Sequence, residues 1–177
     1  MSKLINSDID SMLEETSRSF YLTLRALPTG IRSQVGLLYL LARAADTIAD
    51  SDEGSTEERL LALEQYNERI QGRSNGLPDL TSLALLQNNP AEAKLLENLG
   101  LPVACLEQFP SIDQQRLREC LNIIISGQTL DLQRFGHATG DEAIPLASED
   151  ELDDYAYRVA GSVGEFWTHM SLEHLFK

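Results

Sequence analysis

Four side chains that could do chemistry fall on one face of a single predicted helix. The stretch from residue 31 to residue 50 carries them in steps of four, three and four: Tyr39, Arg43, Asp46 and Asp50. At roughly 100° per residue, these steps place a phenol, a guanidinium and two carboxylates within a sector of about 60°. Carboxylates spaced by one helical turn can hold a hard cation such as Mg²⁺ together with substrate phosphates. The spacing therefore indicates a candidate diphosphate site.

The rest of this helix is apolar almost all round, which predicts that it is buried within a bundle. The apolar positions are Val35, Leu37, Leu38, Leu40, Leu41, Ala44, Ala45 and Ile48. Charges on a buried helix are costly unless they are paired or bind a ligand. The alternative to a ligand is a solvated salt bridge between Arg43 and Asp46 or Asp50. The spacing alone leaves both interpretations open.

Capping and periodicity predict further helices on both sides, and no strand. Ser7 with Asp10, Ser55 with Glu58, Ser111 with Gln114 and Ser148 with Glu151 have the spacing of capping boxes. They predict helices from residue 8 to about 25, 55 to 71, 111 to 135, and from 149 onward, with short helices at 80–88, 91–98 and 102–109. The region 136–145 reads as a loop. The fold class is therefore all-α.

Hydroxyl side chains interrupt the first predicted helix at Thr16, Ser17 and Ser19. Because hydroxyls compete for local backbone hydrogen bonds, they predict a break near Ser17. A break places hydroxyls and backbone N–H groups beside Arg18, which is suitable chemistry for holding a phosphate. An ordinary connection between two helices is the alternative.

Two polar residues share the apolar stripe of the helix predicted at 111–135. Gln128 and Asp131 follow Leu117, Leu121 and Ile124 on that face. Polar groups on a core stripe require partners. Asp131 either contributes to a site or only accepts one buried hydrogen bond.

Composition suits one soluble domain of 177 residues, with 42% hydrophobic residues and a net charge of −14. This charge argues against nucleic-acid binding, which depends on Lys and Arg. It also means that a diphosphate needs cations at its site. Cys105 and Cys120 read as reduced, buried thiols, and we find no signal peptide or membrane span. We expect a cytoplasmic protein with at most peripheral membrane contact.

Three segments occur in the order found in one enzyme family. They are Ser17-Arg18-Ser19-Phe20, the run from Tyr39 to Asp50, and Tyr157-Arg158-Val159-Ala160-Gly161. Together they resemble the squalene and phytoene synthase family, the head-to-head trans-isoprenyl diphosphate synthases. The segment Gly127 to Leu132, GQTLDL, also resembles the Gly-x-x-x-Asp-Leu segment that lines the cavity in this family.

The resemblance implies the isoprenoid synthase fold, with a cavity between helices. It assigns Asp46 and Asp50 to Mg²⁺, and Tyr39, Arg43, Ser17, Arg18 and Ser19 to the diphosphate. Phe20 and the face from Tyr157 through Gly161 to Gly164 would line the prenyl channel, and Gln128 and Asp131 the cavity wall. The implied reaction joins two farnesyl or geranylgeranyl diphosphates through a cyclopropyl intermediate, with NADPH as a possible reductant.

One large departure accompanies the resemblance, because the family's second Asp-rich motif has no counterpart in this sequence. We therefore expect a chain truncated at its C-terminal end, with the apolar helices at 31–50 and 149–176 partly uncovered. Such surfaces favour self-association or docking of a missing segment. The alternative function is a non-catalytic helical module that binds lipid or a partner.

Overall fold

The computed structural model describes residues 6–51, 54–137 and 144–176, and within these ranges every regular element is a helix. Ten α-helices follow in order: α1 Ser7–Ser17, α2 Ser19–Ala26, α3 Thr29–Ala49, α4 Thr56–Ile70, α5 Thr81–Leu85, α6 Pro90–Glu97, α7 Gly100–Leu106, α8 Ser111–Phe135, α9 Glu149–Ala156 and α10 Ser162–His174. A π-helical turn, Tyr157–Gly161, joins α9 to α10. The all-α prediction is confirmed. None of the described helices combines the length and the apolar character needed to cross a membrane.

Helix α3 is the centre of the bundle and packs against α1, α2, α4, α6, α7, α8 and α10. Its apolar side chains are buried, so the expectation that residues 31–50 would be partly uncovered is wrong. From residue 39 to residue 50, the only side chains that are not fully buried are Tyr39, Ala42, Arg43, Asp46 and Asp50. The single open stripe of α3 is thus the face that carries the predicted chemistry.

The predicted break in the first helix is confirmed and lies at Arg18, between α1 and α2. Arg18 has φ 49° and ψ −117°, a conformation that residues other than glycine seldom adopt. Just before the break, the Thr16 hydroxyl donates to the Met12 carbonyl at 2.8 Å and the Ser17 hydroxyl donates to the Leu13 carbonyl. These hydroxyls therefore provide hydrogen bonds to backbone carbonyls in the last turn of α1, where the helix ends.

Two of the predicted caps are observed. Ser55 and Glu58 form a full capping box, and the Ser148 hydroxyl accepts the Glu151 N–H at 3.3 Å. The other two predictions are wrong. Asn6, not Ser7, caps α1 by accepting the N–H groups of residues 8 and 9. Pro110 precedes α8, and Gln114 instead donates its side-chain amide to the Glu107 and Phe109 carbonyls.

The last predicted helix differs from expectation because the π-helical turn divides it. A π-helical turn adds a residue to one turn and changes which side chains share a face. Phe166 and Met170 are buried in α10, whereas Leu152, Tyr155 and Val159 are exposed. The expectation of an uncovered apolar surface at 149–176 is confirmed. The predicted loop at 136–145 falls mostly on residues 138–143, which lie outside the described part of the chain.

A buried carboxylate fastens three helices at the end of the bundle remote from Asp50. Asp113 on α8 is 1% exposed and accepts the side-chain amide of Gln34 on α3 at 2.9 Å. Its other oxygen lies 2.7 Å from Nε2 of His174 on α10. Both oxygens of the carboxylate are therefore hydrogen-bonded, as a buried charge requires.

We predict that Asp113→Ala lowers the free energy of unfolding by roughly 3 kcal/mol, because it leaves the buried partners without an acceptor. Urea denaturation followed by circular dichroism measures this change. Glu119→Ala on the same helix is the control, since the contacts of Glu119 with Gln115 and Arg116 are solvent-exposed and their loss should change stability far less. Equal effects of the two substitutions would contradict the assigned role of Asp113.

Candidate active site

Asp46 and Asp50 close the open stripe of α3 at its C-terminal end. Asp50 is exposed and Asp46 is partly buried. Burial, followed by the negative charge of Asp50, raises the pKa of Asp46 to about 6. The positive charge of Arg43 and a hydrogen bond from Gln128 act in the opposite direction. The two carboxylates are thus close enough to repel each other, which is the electrostatic situation that a divalent cation relieves.

Arg43 does not form the salt bridge with Asp46 or Asp50 that the sequence left open. Its Nη2 instead pairs with Glu92 on α6, whose carboxylate also accepts the Asn89 side-chain amide at 2.8 Å. The Nε of Arg43 is buried and has no hydrogen-bond partner among the described residues. Arg43 is therefore held by a residue of α6 rather than of α3, and its Nε–H group remains available as a hydrogen-bond donor among the described residues.

Glu92 was missed by the sequence reasoning. No spacing links it to Arg43, because the contact arises from the packing of α6 on α3. The only local signal is Asn89-Pro90, a cap and first-turn proline that fix the start of α6. That signal predicts a helix but not its neighbour.

Helix α8 brings a third carboxylate to the pair. Gln128 donates its side-chain amide to Asp46, while its own Oε1 and the Oδ1 of Asp131 are buried with no hydrogen-bond partner in the described ranges. Burial raises the pKa of Asp131; the charge of Arg134 opposes this rise and that of Asp50 adds to it. The interpretation of Gln128 and Asp131 as cavity-lining residues is consistent with this placement.

A cavity of about 340 Å³ lies beside these groups, between the end of α3, α4 and α8. Asp50, Gln128, Asp131, Arg59 and Phe135 are among its lining residues. Arg59 was also missed by the sequence reasoning. Its Nη1 donates to the Ala49 and Ser51 carbonyls, each at 2.9 Å, and so fixes the turn that carries Asp50.

The break between α1 and α2 supplies a second edge of the site. The rings of Phe20 and Tyr39 have centroids 5.1 Å apart. Burial raises the pKa of Tyr39, and the nearby positive charge of Arg18 is one of the groups that oppose this rise. Arg18 and Phe20 therefore lie near Tyr39, as the ordered motifs predict. Ser17 is buried, with its hydroxyl turned into α1, and Ser19 is exposed.

Tyr157 and Gly161 lie on the exposed π-helical turn. The Tyr157 hydroxyl donates to Glu165 at 2.8 Å, and a Cβ built on Gly161 would lie 3.0 Å from the Tyr157 ring. These contacts join the two residues to each other and to their own helix rather than to Asp46 and Asp50. A Cβ on Gly164 would meet nothing within 4 Å, so no described helix accounts for that glycine.

The site does not coincide with a larger, more open groove of the described chain. An open groove of about 700 Å³ runs between α4, α8 and the π-helical turn, and includes Leu60, Glu64, Thr129 and Arg158. Its lining includes Glu57 and Glu64, but none of the buried polar atoms that lack a partner in the described ranges. We place the site at α3 and α8 because the carboxylates and the orphaned polar atoms converge there.

The donor set fits Mg²⁺. It consists of carboxylate and amide oxygens, the hard ligands that this ion takes, and two of these oxygens are buried without a partner. No described residue forms an ion pair with Asp46 or Asp50. A cation at this position would neutralise the mutual repulsion of the carboxylates.

We predict that Asp46→Asn stabilises the fold at neutral pH. The pKa of Asp46 in the folded chain, about 6, exceeds its ordinary value of 3.8, so the folded state binds the proton more tightly. Ionisation of Asp46 therefore lowers the free energy of unfolding as pH rises from about 4 to above 6. At pH 7.5 the variant should be more stable by about 2 kcal/mol, and the difference should vanish near pH 4.

Urea titrations at both pH values measure this difference. Glu64→Gln on the exposed face of α4 removes the same charge and should leave the two titrations unchanged. A stabilisation by Asp46→Asn that is equal at pH 4 and pH 7.5 would rule out the buried charge as its cause.

The family model described as Squalene/phytoene synthase matches residues 13–174. Among curated relatives, the bifunctional lycopene cyclase/phytoene synthase of Blakeslea trispora is 29% identical over 164 residues, covering 91% of this chain and 24% of that protein. The presqualene diphosphate synthase of Botryococcus braunii is 27% identical, covering 86% and 33%. The 15-cis-phytoene synthase of Synechocystis sp. is 29% identical, covering 84% and 35%.

The fold is also similar to that of a solved ligand complex of TcSQS, a squalene synthase, with a TM-score of 0.73 at 21% identity. That similarity covers 94% of this chain and 45% of TcSQS, so the described chain spans less than half of the relatives and of the structure that it matches. The all-α bundle is the isoprenoid synthase fold. With the family model matching nearly all of its residues, the chain belongs to the squalene/phytoene synthase family.

Proposed function

We propose that this chain carries the first Asp-rich half of a Mg²⁺-dependent prenyl diphosphate site. Its reaction would be the head-to-head condensation of two farnesyl, or geranylgeranyl, diphosphates through a cyclopropyl diphosphate intermediate. One observation carries the proposal. Arg43 is bound to Glu92, so Asp46 and Asp50 face the open side of α3 without a cationic partner among the described residues.

The charges of the site suit a diphosphate only if a cation intervenes, since the chain has a net charge of −14. When bound, Mg²⁺ would neutralise the diphosphate and assist its departure as a leaving group. Asp46 and Asp50 would hold the metal. The Nε of Arg43, which has no partner among the described residues, would contact phosphate oxygens together with Arg18 and the Tyr39 hydroxyl.

The prenyl chain requires an apolar, water-excluding wall, because a carbocation formed by diphosphate departure reacts with water. Phe20 is packed on Tyr39 beside the proposed phosphate contacts and would begin this wall. The exposed surface that includes Tyr157, Val159 and Gly161 would continue it.

The names of the curated relatives suggest two candidate substrates, which are farnesyl diphosphate and geranylgeranyl diphosphate. The curated names include phytoene synthases and a presqualene diphosphate synthase. Both names describe head-to-head condensation products, which differ in the length of the prenyl chain. We propose farnesyl diphosphate as the first substrate to test and geranylgeranyl diphosphate as the second.

We further propose that the second set of metal ligands comes from outside these residues, supplied by a docked segment or by another copy of the chain. The uncovered apolar surface of α9 and α10 supports this proposal. Leu152 on α9, Leu172 on α10 and Phe176 just after α10 are 54%, 57% and 69% exposed, respectively. Surfaces of this kind normally pack against a partner.

We expect the 177-residue chain to bind farnesyl diphosphate only with Mg²⁺, and Asp46→Asn combined with Asp50→Asn to abolish this binding, because the metal loses both carboxylates. Isothermal titration with Mg²⁺ and with EDTA measures it. Glu64→Gln combined with Glu68→Gln is the matched control, as it removes two charges at the same spacing from α4. Unchanged binding by the Asp double variant would refute the proposal.

A second candidate, a non-catalytic lipid-binding module, is supported by the uncovered apolar surface of α9 and α10. It predicts saturable binding of farnesyl diphosphate that is equal with Mg²⁺ and with EDTA. It also predicts that no labelled diphosphate is released. The same titration, followed by a release assay, therefore separates the two candidates.

A further inference from the structure

We propose that Glu92 is a positioning residue, which holds Arg43 away from Asp46 and Asp50 and thereby keeps both carboxylates free for a cation. This inference rests on the proposed function and concerns how the site is kept competent before ligand arrives. Glu92 lies on α6, whereas the other three residues lie on α3 or at its end. Its role thus links the packing of a short helix to the chemistry of the central one.

The carboxylate of Glu92 is held by a second donor, Asn89, in addition to Arg43. Asn89 caps α6 by accepting the Ala91 N–H at 3.0 Å, and its side-chain amide donates to Glu92 Oε1 at 2.8 Å. The Glu92 side chain is 16% exposed, and that of Arg43 is 34% exposed. Arg43 Nη2 therefore meets an acceptor that is already oriented and largely shielded from water.

Asp46 is the partner that Arg43 would otherwise take. The two residues are three positions apart on α3, which is the spacing of an ion pair on a helix surface. Arg43 already acts electrostatically on Asp46, since its positive charge lowers the pKa of that carboxylate. Without Glu92, we expect the guanidinium to turn onto Asp46. A cation would then have to displace it before binding.

Helix α6 has a second, independent anchor that provides a control. Lys94 on α6 pairs with Glu15 on α1, at 2.8 and 2.9 Å to its two carboxylate oxygens. This pair is solvent-exposed and involves neither Arg43 nor the carboxylates of α3. Glu15→Gln therefore loosens the docking of α6 without releasing Arg43.

The affinity for Mn²⁺ alone, measured on the 177-residue chain by electron paramagnetic resonance, tests the inference. We expect Glu92→Gln to weaken binding by about tenfold, in line with the loss of other groups that orient metal ligands. Glu15→Gln should leave binding unchanged. In an Arg43→Gln background, Glu92→Gln should have no further effect, because Glu92 acts through Arg43.

The double-mutant comparison separates positioning from direct charge. If Glu92→Gln weakens Mn²⁺ binding equally with and without Arg43, Glu92 acts through its own negative charge and the inference is wrong. The inference is also wrong if the single variant binds Mn²⁺ like the wild type.

A ligand-free readout separates failure of this inference from failure of the proposed function. If Mn²⁺ binding is indifferent to Asp46→Asn with Asp50→Asn, the proposed function fails. In that case, the ¹⁵N–¹H signal of Arg43 Nε still reports whether Glu92 holds the guanidinium. We expect Glu92→Gln, but not Glu15→Gln, to shift this signal, and an unmoved signal overturns the inference.

Discussion

The site depends on one electrostatic constraint, which is that Asp46 is partly buried on the central helix beside Asp50 without a cationic partner among the described residues. Burial and like charge both work against its ionised form and raise its pKa to about 6. The ionised form of Asp46 therefore lowers the free energy of unfolding of the protein at neutral pH. Binding of a divalent cation would reverse that loss of stability, which supports the proposal of a metal site at these two residues.

The neighbouring helices are arranged so that this constraint persists. Gln128 from α8 hydrogen-bonds Asp46 without neutralising it, and Glu92 from α6 occupies the nearest guanidinium. Arg59 from α4 places its charge on backbone carbonyls, at the turn that carries Asp50. Meanwhile Asp113 fastens α3, α8 and α10 at the other end of the bundle. The Asp113 contacts and the carboxylate pair thus lie at opposite ends of α3.

Local signals in the sequence were sufficient to predict most of the helices and the open face of α3. The +4, +3, +4 spacing from Tyr39 to Asp50 predicted the open stripe, and the hydroxyl residues near Ser17 predicted the break at Arg18. Glu92 and Arg59 could not be predicted, because their contacts depend on how α6 and α4 pack on α3. The π-helical turn was missed since its residues, Tyr157–Gly161, carry no pattern that differs from an α-helix. The Ser7 cap failed because Asn6, an equally good cap, precedes it.

A crystal of the 177-residue chain grown with Mn²⁺ and inorganic pyrophosphate tests the central claim most directly, through the anomalous signal of the metal. We expect a peak about 2.0–2.3 Å from carboxylate oxygens of both Asp46 and Asp50, with pyrophosphate oxygens completing the ligand set. We also expect Arg43 to remain on Glu92 or to turn to the pyrophosphate, and not to Asp46. A well-ordered site with Arg43 on Asp46 and no metal at the two carboxylates would contradict the account.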